Sequence, residues 1–146
     1  MSTETNKAVV QQFLEAWSKN DLATLASIVT GDWTNFDDNL PPLPRGPQGA
    51  QALSNLFHAG IPDMQVTFES VIAEGDLVAI RWLNQGTHTG ELLGIPPTGK
   101  SASVRATGIF RVVDGKVAEN HVNFDALGML QQLGIVPPLG QPAQAI

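Results

Sequence analysis

The chain has 146 residues, with eight Lys or Arg against fourteen Asp or Glu, a formal net charge of -6, and no Cys. Disulfides, thiolate metal sites and a cysteine nucleophile are excluded, and the scattered basic residues form no stripe for nucleic acid or an anionic membrane. Only 15% of the residues are charged while 42% are hydrophobic, so a lined cavity, an oligomer or both are expected to absorb the apolar surplus.

Val9, Val10, Phe13, Leu14 and Trp17 recur at helical spacing behind the capping candidates Thr3 and Thr5, which predicts an amphipathic helix over about 5–19. Asn20-Asp21 ends it and caps a second short helix marked by Leu22, Leu25, Ile28 and Val29, which stops at Gly31. Asp32 to Phe36 reads as a short strand. The stretch from Asp37 to Pro47 holds too much proline for a helix or strand interior and is expected to be a long loop covering a site. Pro47 opens a third helix, with Ala50, Leu53, Leu56 and Phe57 inward and Gly60 as its stop.

From Met64 the period changes to two. Strands are predicted over about 64–73, 77–87, 101–113 and 116–125, and Leu127, Leu130 and Leu133 suggest one more short helix. Residues 1–146 read as one domain, with 136–146 as a tail rich in Pro, Gly, Gln and Ala that is suited to lie along a partner subunit. The first residues are polar and no apolar run approaches the roughly 20 residues of a membrane span, so a cytoplasmic protein is expected. Three separated histidines give no metal signature. Helices followed by an antiparallel run make an α+β fold, with the helices packed on the concave side of a curved sheet around a pocket.

Asp114-Gly115 is a hairpin turn signal that sets Val113 opposite Lys116. Continued without interruption, that register puts Glu119, His121, Asn123 and Asp125 on one face with Val112, Phe110, Gly108, Ala106 and Val104. Arg105 and Arg111 fall on the other face. A three-residue loop at Glu74-Gly75-Asp76 likewise groups Val66, Phe68, Ser70 and Ile72 with Asn84, Trp82, Ile80 and Val78, and sets Glu69 across from Arg81 as an exposed ion pair. The polar row on the last strand is then the wall of a pocket.

In that setting Asp125 is the first candidate for an acid or base, because apolar walls penalise its charged form. The alternative is that it caps the last helix. His121 orients a substrate carbonyl or is structural, and Asn123 donates to a developing oxyanion or is a satisfied amide. Asn35 is a weaker candidate from the opposite wall. Phe13, Trp17, Trp33, Phe68 and Trp82 are core residues, some of which serve as flat walls for a planar substrate. His58 and His88 read as surface or loop residues.

The helix with Phe13 and Trp17, Asn20-Asp-Leu, Gly86-Thr-His-Thr-Gly-Glu-Leu-Leu-Gly-Ile-Pro-Pro-Thr-Gly99, Phe110-Arg-Val, Asp114-Gly-Lys116 and Phe124-Asp-Ala-Leu-Gly-Met-Leu-Gln-Gln-Leu-Gly134 together resemble the SnoaL-like polyketide cyclase family over about 6–135. The resemblance implies the nuclear-transport-factor-2-like cone, a homodimer or homotetramer, and no metal or cofactor. It also implies intramolecular aldol closure of an apolar polyketide ester, as in antibiotic biosynthesis, with Asp125 as acid/base. Many relatives carry tryptophan in place of His121 and histidine in place of Phe36, which implies a different substrate. A non-catalytic binding domain, or a hydroxylase or hydrolase relative, is the other reading of the same pocket. The chain has no tyrosine, so a tyrosine oxyanion donor is excluded.

Overall fold

The computed structural model describes residues 2–142; the end of the predicted tail, 143–146, lies outside the described residues. Helix α1 (Thr3–Lys19) starts two residues earlier than its periodicity suggested because Ser2 is the cap, its Oγ accepting from Thr5 N at 3.1 Å. It ends where Asn20 turns left-handed, and Asp21 caps α2 (Leu22–Ser27) by accepting from Thr24 N. Helix α3 (Pro47–Gly60) begins on its proline and buries Ala50, Leu53 and Phe57. The buried Ser54 hydroxyl donates to the carbonyl of Trp17 at 2.8 Å and ties α3 to α1. Among the described residues no helix is long and apolar enough to cross a membrane.

The strands β1 (Val29–Phe36), β2 (Gln65–Glu74), β3 (Leu77–Thr87), β4 (Ser101–Val113) and β5 (Lys116–Phe124) form one sheet in the order β1-β5-β4-β3-β2. All neighbours are antiparallel except β1 and β5, so the sheet is mixed rather than wholly antiparallel as expected. Helices α1 and α3 cover one face, and Val10, Phe13, Trp33, Ile80 and Phe110 are among the fully buried apolar residues between them and the sheet. Helix α4 (Ala126–Gln132) follows β5 and packs beside β4.

Both hairpins carry a bulge, and the bulges correct the expected faces. Asp114 and Gly115 both take positive φ, and Val113 pairs with Lys116 and Val112 with Val117, as the turn chemistry predicts. Ala118 is then the extra residue: Arg111 pairs with Glu119, Phe110 with Asn120 and Ile109 with His121. From there on Asn120, Val122 and Phe124 share the covered face, while Glu119, His121 and Asn123 share the outer one. An unbroken ladder would put an ionised Glu119 against the core at several kcal/mol. The bulge disrupts the ladder locally, at about 1 kcal/mol for a lost hydrogen bond. The bulge is the smaller cost.

The other hairpin turns on Gly75 and Asp76 alone, pairing Glu74 with Leu77, and the register shifts at Glu69. Ile72 therefore lies outside, 66% exposed, and Ser70 with it, while Val71 and Ala73 pack against the core. The expected Glu69 to Arg81 pair forms at 3.4 Å, and Arg105 joins it at 3.0 Å.

Candidate active site

A hollow opens between α1, α3, the covered face of the sheet, the loop after β1 and α4, and part of its space is open to solvent. Its walls are mainly apolar. Phe13 and Trp17 come from α1, Phe57 from α3, Trp82 from β3, Phe110 from β4, and Val122 and Phe124 from β5. The apolar lining with a few convergent polar groups has the character of a pocket for a small, largely apolar ligand.

The polar lining is sparse: Asn35, Asp37, Asn84, Gln85 and Asn120. Strand β1 alternates, so Trp33 and Asn35 turn inward and Asp37, just past its end, follows the same period. Asp37 Oδ1 accepts from Asn39 N at 2.9 Å. Burial raises its carboxyl above the ordinary aspartate value, the Asn39 bond opposes the shift, and the nearby charge of Asp38 adds to it. Asn120, only 1% exposed, accepts at Oδ1 from the indole Nε1 of Trp33 at 3.0 Å, and Asn84 accepts from Trp82 Nε1 at 3.1 Å.

Of the residues singled out from sequence, Phe13, Trp17, Asn35 and Trp82 line the hollow. Trp33 lies buried behind the wall, and Phe68 packs against the core without lining it. His121 and Asn123, expected on the pocket wall, stand on the outer face because of the bulge at Ala118. His121 stacks on Phe36 with ring centroids 4.4 Å apart and meets Glu119 at 2.9 Å. Glu119 is held below the usual glutamate range, first by His121 and then by Arg111.

For Asp125 the capping alternative is the one observed, and the side chain does not reach the pocket wall where it was expected. Its side chain is exposed, it is not part of the lining, and it caps α4 by accepting from Gly128 N at 2.9 Å. A Cβ at residue 128 would collide with that carboxylate, which accounts for the Asp-x-x-Gly spacing. His88, expected near the surface, is fully buried, its Nδ1 accepting from Thr98 N at 3.2 Å. Arg105 and Arg111 lie on the outer face, paired with Glu69 and with Asp76 and Glu119. Sequence reasoning missed Asp37, Gln85 and Asn120, and it set Asn84 on the inner face without giving it a role. The period of β1 pointed to Asp37, while nothing local marked the bulge that turns Asn120 inward.

Comparison with known proteins agrees with this architecture. The chain is 28% identical over 137 residues to aklanonic acid methyl ester cyclase DnrD of Streptomyces peucetius, covering 92% of each chain. It is 41% identical over a shorter stretch of 49 residues to a nogalonic acid methyl ester cyclase of Streptomyces nogalater, covering 34% of this chain and 37% of that one. Among solved structures it is similar to IdmH, a putative polyketide cyclase from Streptomyces antibioticus, at 32% identity and a TM-score of 0.75, covering 88% of this chain and 98% of that one. A SnoaL-like protein from Jannaschia shares the fold at a TM-score of 0.82 and 23% identity, covering 93% and 95%. The family profile matches residues 7–133, and the chain belongs to the SnoaL-like polyketide cyclase family.

Proposed function

We propose that this protein is a cyclase that closes a ring on an apolar, polyketide-like small molecule by intramolecular aldol addition, with Asp37 moving the proton. The observation that carries the assignment of Asp37 is that, among the described residues lining the hollow, it is the one ionisable group. Its partly buried setting raises its carboxyl above the ordinary aspartate value, the direction that acid/base use calls for. Family membership and relatives named as methyl ester cyclases support the reaction class.

The Asp37 carboxylate takes a proton from a carbon activated by neighbouring carbonyl groups. The electron pair left behind forms the new C–C bond to a carbonyl carbon of the same molecule. The π pair of that carbonyl moves to its oxygen, which recovers the proton from Asp37. Atoms and charge balance without a second substrate, and the walls contribute by holding the two reacting carbons together. Asp125, expected as the acid/base from family resemblance, has a capping role in this reading. A contact between copies of the chain through the outer face is part of it too, supported by the exposed Phe36, Ile72 and Ile109; sedimentation velocity tests that contact.

The experiment is turnover of aklanonic acid methyl ester by the wild type and by Asp37→Asn, with binding followed by tryptophan fluorescence. A loss of about 10²–10⁴ in turnover with binding retained is expected. Full turnover in Asp37→Asn would remove the proton-moving role. Binding without turnover in the wild type would favour the reading as a non-catalytic binding domain.

A further inference from the structure

Deep in the hollow the direction of one hydrogen-bond donor is dictated by chemistry. An indole N–H can only donate, so the Trp33 Nε1 that lies 3.0 Å from Asn120 must face the amide oxygen, and the amide nitrogen must point elsewhere. Both partners are fully buried, and Trp33 is packed against Phe13, so the amide has little freedom to turn over. The nitrogen has no hydrogen-bond partner among the described residues, and Asn120 lines the hollow.

Its place relative to Asp37 is set by the sheet. Asn35 pairs with Asn120 across β1 and β5, and Asp37 lies two residues further along the chain, just past the end of β1. If the strand course continues one residue past Phe36, spacings of ~4.8 Å between strands and ~3.3 Å per residue would place the two Cα atoms about 8 Å apart. That separation suits a carboxylate and an amide bracketing one carbon and the oxygen of the carbonyl next to it.

We propose that Asn120, aimed by Trp33, is the oxyanion-positioning residue: its amide N–H groups hold the oxygen of a planar enolate while Asp37 handles the proton on the adjacent carbon. The inference rests on the acid/base reading for its catalytic meaning. The preference for an oxyanion is a property of the amide alone and is measured without any reaction. A fixed donor aimed where charge develops needs no reorganisation at the moment of reaction, which makes this arrangement more than a binding contact.

The probe is 1-naphthol, a flat apolar molecule with one ionisable oxygen, whose bound pKa is read by absorbance. Wild-type protein is expected to favour the bound naphtholate. Asn120→Asp retains the acceptor for Trp33 but removes the donor, and should shift the bound pKa upward by about one unit or more, a tenfold loss of preference. Trp33→Phe frees the amide and should shift it in the same direction by less. Asn123→Asp makes the same chemical change on the outer face and should leave it alone. With aklanonic acid methyl ester, Asn120→Asp should lower kcat far more than it raises KM.

An unchanged bound pKa in folded Asn120→Asp protein overturns the proposal. Should that variant fail to fold, an unchanged value in Trp33→Phe overturns it instead. A shifted probe pKa together with full turnover in Asp37→Asn would sink the acid/base reading and leave the amide assignment standing. The opposite pattern would do the reverse.

Discussion

The two faces of the same sheet treat polar side chains in opposite ways. On the outer face Glu69 meets Arg81 and Arg105, Arg111 meets Asp76 and Glu119, and His121 lies between Glu119 and Phe36, all with access to water. On the inner face the polar side chains lining the hollow are, among the described residues and apart from tryptophan indoles, amides and one carboxylate, and the deepest amide is held by an indole. The contrast follows from desolvation. A charge left in water costs little and contributes little when paired, whereas a charge moved into the core costs several kcal/mol unless it is fully compensated. A polar group on the inner face therefore needs a partner or a task, and the inner polar groups are where function is to be sought.

The comparison is tested most severely on β4, where neighbouring residues face opposite ways. Phe110→Ala is expected to destabilise the protein by about 3–5 kcal/mol, since it empties a fully buried site. Ile109→Ala, at a position 48% exposed in the single chain, should stay within about 0.5 kcal/mol at concentrations too dilute for the proposed contact between copies. Urea unfolding of the two variants measures both, and similar losses would mean that the outer face is also packed in solution.

The next largest effect concerns the carboxylate expected in the pocket. Asp125→Ala is expected to cost about 1 kcal/mol through loss of the α4 cap, with turnover close to wild type. A large fall in turnover at unchanged thermal stability would return Asp125 to the chemistry.

The smallest effect is a difference of sign in the pH dependence of stability. Glu69 is held below the ordinary glutamate value of 4.5, first by its bond to Arg105, so its contribution is present above that value and lost as pH falls through the folded value. Asp37 is raised by burial above the ordinary 3.8, so its contribution is present below that value and lost as pH rises through the folded one. Denaturation midpoints between pH 3 and 7 should show acid loss flattened in Glu69→Gln and neutral-pH stability improved in Asp37→Asn. The same sign in both would contradict the inner and outer assignment.

Element positions were largely legible in the chain. Pro47 and Gly60 bound α3, and Asp114-Gly115 makes the turn between β4 and β5, because capping, proline geometry and positive φ are local properties that neighbouring residues decide. Inward aromatics such as Phe13 and Trp82 were legible for the same reason, being set by period. The pairing of β1 beside β5 was not, since a parallel contact between residues 29–36 and 116–124 has no local signal.

What the amino-acid sequence determined by itself is the order of helices and strands, the turns between them and the supply of apolar residues for a hollow. What tertiary structure alone decided is which polar residues enter it. A strand alternates strictly, so one extra residue at Ala118 exchanges His121 and Asn123 for Asn120 at the wall. The bulge forms because burying Glu119 would cost more than disrupting the ladder. That balance exists only once β4, β5 and the helices above them are packed together.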